Sequence, residues 1–178
     1  MRAAIFGIFA MVVLAGCAGD RRHHIVVSAA DQRMAVLRDG EPVAFYPVST
    51  SKFGLGDGHG SYATPVGELR VKEKIGDGLP SGSVFKSRKP TGEVLPPNAP
   101  GRDPIVTRIL WLEGREDRNR NAYDRYIYIH GTPEERTIGT PASYGCIRMR
   151  SDDVIALYET VGKGARVTIL PGPLVRPD

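Results

Sequence analysis

The chain has 178 residues, of which 41% are hydrophobic and 25% charged. That length and balance suit one globular domain and exclude a disordered or fibrous chain. The net charge of +4 comes without any basic run longer than a pair, which argues against a nucleic-acid partner.

Met1-Arg2 followed by the apolar stretch Ala3 to Leu14 reads as a secretory signal, too short for a permanent membrane span. It ends in Leu14-Ala15-Gly16-Cys17, which resembles the cleavage site of bacterial lipoproteins. That resemblance implies removal of residues 1–16 and acylation of Cys17, several chains on one residue giving a stable membrane anchor. Ala18 after the cysteine resembles the outer-membrane-directed class of lipoproteins, which implies a periplasm-facing lipoprotein of the cell envelope, at the outer rather than the inner membrane. Residues 17–24 then form the lipidated cysteine and a polar linker. His23 and His24, adjacent but without further ligands, fit a solvated linker better than a metal site. The domain proper covers 25–171, with 172–178 as a tail.

From Ile25 the pattern is that of strands. Ile25-Val26-Val27 begins it, and Met34 to Leu37 and Val43 to Ser49 form a hairpin about Asp39-Gly40. Thr64-Pro65-Val66-Gly67 is a turn, and Glu68 to Lys72 alternates as a half-buried strand. Residues 76–104, rich in Gly, Pro and Ser, are expected to be a long loop forming a lid or wall of a cleft. Ile105 to Leu112 reads as a strand, and 114–125 as a solvated polar connection. Tyr126 to His130 is a strand with Tyr126, Tyr128 and His130 on one face and Ile127 and Ile129 on the other. A loop over 131–145 follows. Ser151 is expected to cap a helix carrying Asp152 and Asp153 in its first turn and ending near Gly162 or Gly164. Ala165 to Leu170 is the last strand. The whole is mostly β with one main helix.

Chemistry concentrates at one residue. The chain has two cysteines, and with Cys17 committed to lipid, Cys146 has no intramolecular partner. A lone thiol in an exported domain, with a histidine on a neighbouring strand, is a candidate nucleophile. The thiol must become thiolate, and an adjacent imidazole, here His130, is the usual means of lowering its pKa. A backbone carbonyl or Ser143 is available to orient that imidazole. Gly145 permits close approach of a substrate to the backbone, and N–H groups around Cys146 suit an oxyanion.

His130-Gly131-Thr132, the gap, and Ser143-Tyr144-Gly145-Cys146-Ile147-Arg148-Met149 resemble the signature of the L,D-transpeptidase (YkuD-like) catalytic domain. Thr64-Pro65-Val66-Gly67 resembles a turn of the same family, and the likeness runs from about Ile25 to Leu170. It implies a mostly β, sandwich-like fold and a cysteine acyltransferase acting on peptidoglycan stem peptides, with no cofactor. Cys146 matches the nucleophile, His130 the base and the carbonyl of Gly131 the group that orients it. Arg148 sits where a substrate carboxylate would bind. The family usually has histidine where this chain has Tyr144, which bears on substrate positioning and the acyl acceptor. The implied reaction is attack on a tetrapeptide stem, release of the terminal D-amino acid, and transfer to an amine of another stem or of an envelope protein. Alternatives are an L,D-carboxypeptidase or hydrolase using water, and a non-catalytic peptidoglycan-binding lipoprotein.

Overall fold

A computed structural model describes residues 19–174; the signal segment and Cys17 lie outside them. Among the described residues the backbone forms one continuous sheet of ten strands and a single α-helix. The strands are β1 (His23–Ser28), β2 (Arg33–Arg38), β3 (Glu41–Pro47), β4 (Gly67–Ile75), β5 (Ser83–Lys86), β6 (Lys89–Val94), β7 (Val106–Gly114), β8 (Tyr128–Gly131), β9 (Ile147–Met149) and β10 (Arg166–Leu170). The main path runs β3-β2-β1-β10-β4-β7-β5-β6, and β8 pairs with both β7 and β9. The sheet curls into a sandwich-like body, the mostly β fold that the sequence implies.

Period-two alternation decides what each face meets. On β7, Leu110 and Leu112 face the main core with Ile25, Leu69, Ile129, Ile147 and Ile169. Ile109 and Trp111 face the other way and pack with Phe85 and Tyr128. On β8, Ile129 joins the first cluster and Tyr128 the second. Cys146 packs against that second, smaller cluster. Cys146 therefore lies on the face of the sheet away from the main core.

The helix α1 (Ser151–Thr160) buries Val154, Leu157 and Tyr158 and packs on β7 and β8. Ser151 does not cap it. Arg150 holds the cap position, and Ser151 is the first helical residue. Its hydroxyl is 2.8 Å from Thr107 Oγ1, and its backbone N–H donates to Glu135 Oε1 at 2.8 Å. A carboxylate from the preceding loop thus serves the positive end of the helix in place of a local side chain.

Three further expectations differ from the structure, and one strand is not foreseen. Residues 23 and 24 are not linker but the start of β1: His24 Nε2 is 2.6 Å from Thr168 Oγ1 on β10. The segment 76–104 is not one loop but holds the β5–β6 hairpin, whose outer strand is exposed along its whole length. The connection 114–125 is not simply solvated. Asn119 is buried and donates to the carbonyls of Val66 and Glu68, and Arg125 pairs with Asp57 at 3.0 Å under cover. The residues after the cysteine form β9, parallel to β8.

Candidate active site

The parallel pair β8–β9 builds the site. Its register sets His130 beside Arg148 and Gly131 beside Met149. Two residues back along each strand, on the same face, stand Tyr128 and Cys146. The Tyr128 N–H donates to Cys146 Sγ at 3.4 Å, and the thiol donates to the Tyr126 carbonyl at 3.4 Å. The sulfur and His130 are thus diagonal neighbours across two adjacent strands. Together with Asp103, Ile105, Ser143, Tyr144 and Arg148 they line one cleft of about 160 Å³.

The turn before the sulfur is braced from several directions. Ser143 Oγ donates to the Cys146 carbonyl at 2.6 Å and accepts from the Gly145 N–H at 3.2 Å. Thr64 Oγ1 donates to the Gly145 carbonyl at 3.0 Å, which gives the first residue of the Thr-Pro-x-Gly turn a definite task. Gly145 has φ of +118°, and a Cβ there would meet Ile127 Cδ1 at 3.2 Å and the Ala63 carbonyl at 3.3 Å. Glycine is therefore required for the backbone to pass the sulfur.

His130 is buried, and its Nδ1 lies 2.8 Å from the Gly131 carbonyl. Of the two orienters left open by the sequence, the backbone carbonyl holds this place, while Ser143 braces the cysteine turn. With Nδ1 so engaged, Nε2 is the nitrogen left for chemistry in the cleft. Burial, opposed by the Gly131 hydrogen bond and helped by the charge of Arg148, pulls the imidazole down to about 4. Burial pushes the Cys146 thiol up to about 11, against the Tyr128 N–H and the charges of Arg148 and Arg125. The expected depression of the thiol pKa is therefore not met. Both shifts favour the neutral forms, because burial penalises thiolate and imidazolium alike.

Arg148 is not a free carboxylate receptor. It is buried, paired with Asp103, and donates to the Ala142 carbonyl at 2.6 Å. Tyr144 turns outward, 59% exposed, with its hydroxyl accepting from Lys52 Nζ at 3.0 Å.

Several site residues carry no local signal in sequence. Asp103 comes from the segment expected to be a loop. Arg88, in the β5–β6 turn, lies 4.8 Å from the Trp111 ring centre and 5.0 Å from that of Tyr126. With Phe85, Ser87, Ile105, Tyr126 and Tyr128 it lines a second cleft of about 410 Å³ on the hairpin side. Ile105 borders both clefts. A larger apolar groove between β1–β3 and β10 contains neither thiol nor histidine.

A model of the L,D-transpeptidase catalytic domain (YkuD) matches residues 22–169. The chain is 54% identical over 147 residues to the putative L,D-transpeptidase YkuD of Bacillus subtilis, covering 83% of this chain and 65% of that protein. It is 30% identical over 158 residues to the probable L,D-transpeptidase YcfS of Escherichia coli, covering 86% and 45%. The chain spans about half the length of several curated relatives it matches. Among solved structures, an L,D-transpeptidase from Mycobacterium smegmatis superposes with a TM-score of 0.54 at 19% identity, covering 84% of this chain and 58% of that one. L,D-transpeptidase 3 from Mycobacterium tuberculosis, in complex with a faropenem-derived adduct, gives 0.54 at 20%, covering 83% and 60%. At those identities the likeness is one of fold.

Proposed function

The chain belongs to the L,D-transpeptidase catalytic domain (YkuD) family, and from that premise we propose that it is a peptidoglycan transpeptidase with Cys146 as nucleophile. The carrying observation is the shared cleft of Cys146 and His130, with the imidazole held by the Gly131 carbonyl.

The neutral resting pair shapes the chemistry. Attack by a preformed thiolate would first require charge separation between two groups whose burial disfavours their charged forms. Proton transfer from Sγ to His130 Nε2 therefore accompanies attack on the stem carbonyl. The N–H groups of Tyr144 and Cys146 receive the developing oxyanion, since the Gly145 N–H is engaged by Ser143. His130 then hands its proton to the departing D-amino acid nitrogen, leaving a thioester on Cys146. An amine takes the acyl group in the second half, giving its proton to His130. The acyl side of the stem lies along the hairpin-side cleft, past Tyr126 and Tyr128.

The Leu14-Ala15-Gly16-Cys17 run supports an envelope lipoprotein, tethered so that this cleft meets the cell wall.

Intact-mass analysis of the full chain with disaccharide-tetrapeptide muropeptides tests the reading. The expected result is a mass increase equal to the stem less its terminal D-amino acid, absent in Cys146→Ala. An unchanged product pattern in Cys146→Ala would sink it. Solely hydrolysed stems, with acceptor in excess, would replace it with the carboxypeptidase reading.

A further inference from the structure

Lys52 stands at the lip of the cysteine cleft. Its backbone N–H donates to the Ser143 carbonyl at 3.1 Å, so its position is tied to the turn that carries Cys146. Its Nζ donates to Tyr144 Oη and lies 4.3 Å from the Tyr144 ring centre and 5.3 Å from that of Phe53. Phe53, Tyr62 and Tyr144 pack on one another with centroids 5.5 to 5.9 Å apart, yet each is more than half exposed. The two rings under Lys52 restrict where its ammonium sits. Among the described residues no carboxylate pairs with it. The cleft's other cation, Arg148, is already neutralised by Asp103.

We infer that Lys52, held by Tyr144 and Phe53, reads the carboxylate beside the reacting nitrogen on the amine side of the acyl transfer. It would serve the leaving D-amino acid on the first stroke and an incoming α-amino acid on the second. The inference rests on the transpeptidase reading above.

The side follows from the proton. In resolution the amine nitrogen attacks the thioester carbonyl, a C–N bond forms, the C–S bond breaks, and the amine's proton passes through His130 to the sulfur. On both strokes the nitrogen must therefore lie beside His130. That residue lines the cleft it shares with Tyr144 and is absent from the hairpin-side cleft. The amine thus faces Lys52, and the acyl chain faces Arg88. A fixed positive charge here repels a simple ammonium, such as the side chain of a protein lysine. It attracts an amine whose neighbour is a carboxylate, and it favours the neutral, nucleophilic form of that amine.

The test is a ratio measured in both directions with the full chain. Tetrapeptide stems ending in D-alanine or in D-alaninamide are compared as acyl donors. Isotope-labelled D-alanine and D-alaninamide then compete as acceptors, with products read by mass spectrometry. The acid should be preferred over the amide by roughly two- to fivefold, the size of a solvent-exposed ion pair. The amide is the weaker base, so its larger free-base fraction works against that preference. Lys52→Ala and Lys52→Glu should bring the ratio to one or below, and Lys52→Arg should keep it. A merely structural role would lower acid and amide rates together and leave the ratio, which overturns the inference. So would unmodified chain that acylates normally but uses both equally. Absence of any acyl-enzyme overturns the transpeptidase reading itself, which separates the two failures.

Discussion

Asp103 accepts from two groups at once: the guanidinium of Arg148 and the hydroxyl of Thr132. One carboxylate thereby joins the segment before β7 to the strand after the cysteine and to the residue following the His130–Gly131 pair. It also supplies the negative charge that keeps Arg148 from depressing His130 further.

Asp103→Asn should be costly for that reason. It leaves a buried guanidinium without its counter-charge, at a cost of about 3 kcal/mol, the low end for breaking a buried pair because Asp103 is partly exposed. Urea unfolding should show the loss. Adding Arg148→Met should recover much of it, since the uncompensated charge is then gone. A single variant within about 0.5 kcal/mol of the parent would mean the pair is stabilised by solvent.

Acid should weaken the fold through His130. Its folded pKa, about 4, lies below the ordinary value of 6.5. The unfolded chain therefore binds the proton first. The neutral ring contributes its full stabilisation above about pH 6.5, and this is lost as pH falls towards 4. The scale is about 3 kcal/mol at most for this group. Thermal melts of the parent and of His130→Gln across that window should diverge, the variant being the flatter. Parallel curves would show that the imidazole stays solvated.

A thiol held near 11 should be a slow nucleophile towards a small reagent. Iodoacetamide alkylation of Cys146 should rise about tenfold per pH unit from 7 towards 10, following the thiolate fraction. His130→Ala should leave that profile nearly unchanged. A plateau at neutral pH that vanishes in His130→Ala would reveal a thiolate–imidazolium pair in the resting state.

Gly131→Ala should strike the orienting carbonyl rather than the sulfur. A Cβ there would come within 2.8 Å of the Val106 carbonyl and 3.0 Å of Thr107 Cβ. β7 bulges between Val106 and Ile109, and Thr107 takes a left-handed φ of 72°, so the neighbouring backbone has little freedom to yield. Acylation by muropeptide should fall by about a hundredfold, as expected for a small displacement of a catalytic base. Alkylation at pH 10 should change far less. Equal losses in both assays would point to general unfolding.

Glu135→Ala removes the carboxylate that serves the first turn of α1 through the Ser151 N–H. About 1 kcal/mol should be lost, the usual cost of a helix cap. Ser151→Ala should cost through its buried Thr107 contact instead. If Glu135→Ala is neutral by denaturation, water replaces the carboxylate.

The sequence shows the parts of this fold in which neighbours in the chain do the work. Asp39 and Gly40 both take left-handed φ, so the β2–β3 turn can be read from the pair alone. The alternation of β8 follows from Ile129 against Tyr128 and His130. β9 could not be read that way. Its middle residue, Arg148, is buried only because Asp103 lies 45 positions earlier. β6 is exposed throughout and contains Pro90 and Gly92, so its composition is that of a loop although its backbone pairs with β5. At the site, Cys146, His130 and the Gly131 carbonyl come from one local signature. The environment of Tyr144 depends on Lys52, 92 positions away, which no motif marks.

The pairing of the outermost strands in sequence has a mechanical meaning. β1 and β10 lie parallel from His24 opposite Arg166 to Ser28 opposite Leu170, and the Ala29 N–H continues the ladder to the Leu170 carbonyl. Tension applied between residue 19 and residue 174 would pull these strands lengthwise past each other. Their hydrogen bonds would then share the load together instead of opening in succession. A domain loaded in shear at its own seam resists stretching far better than one peeled from a hairpin end.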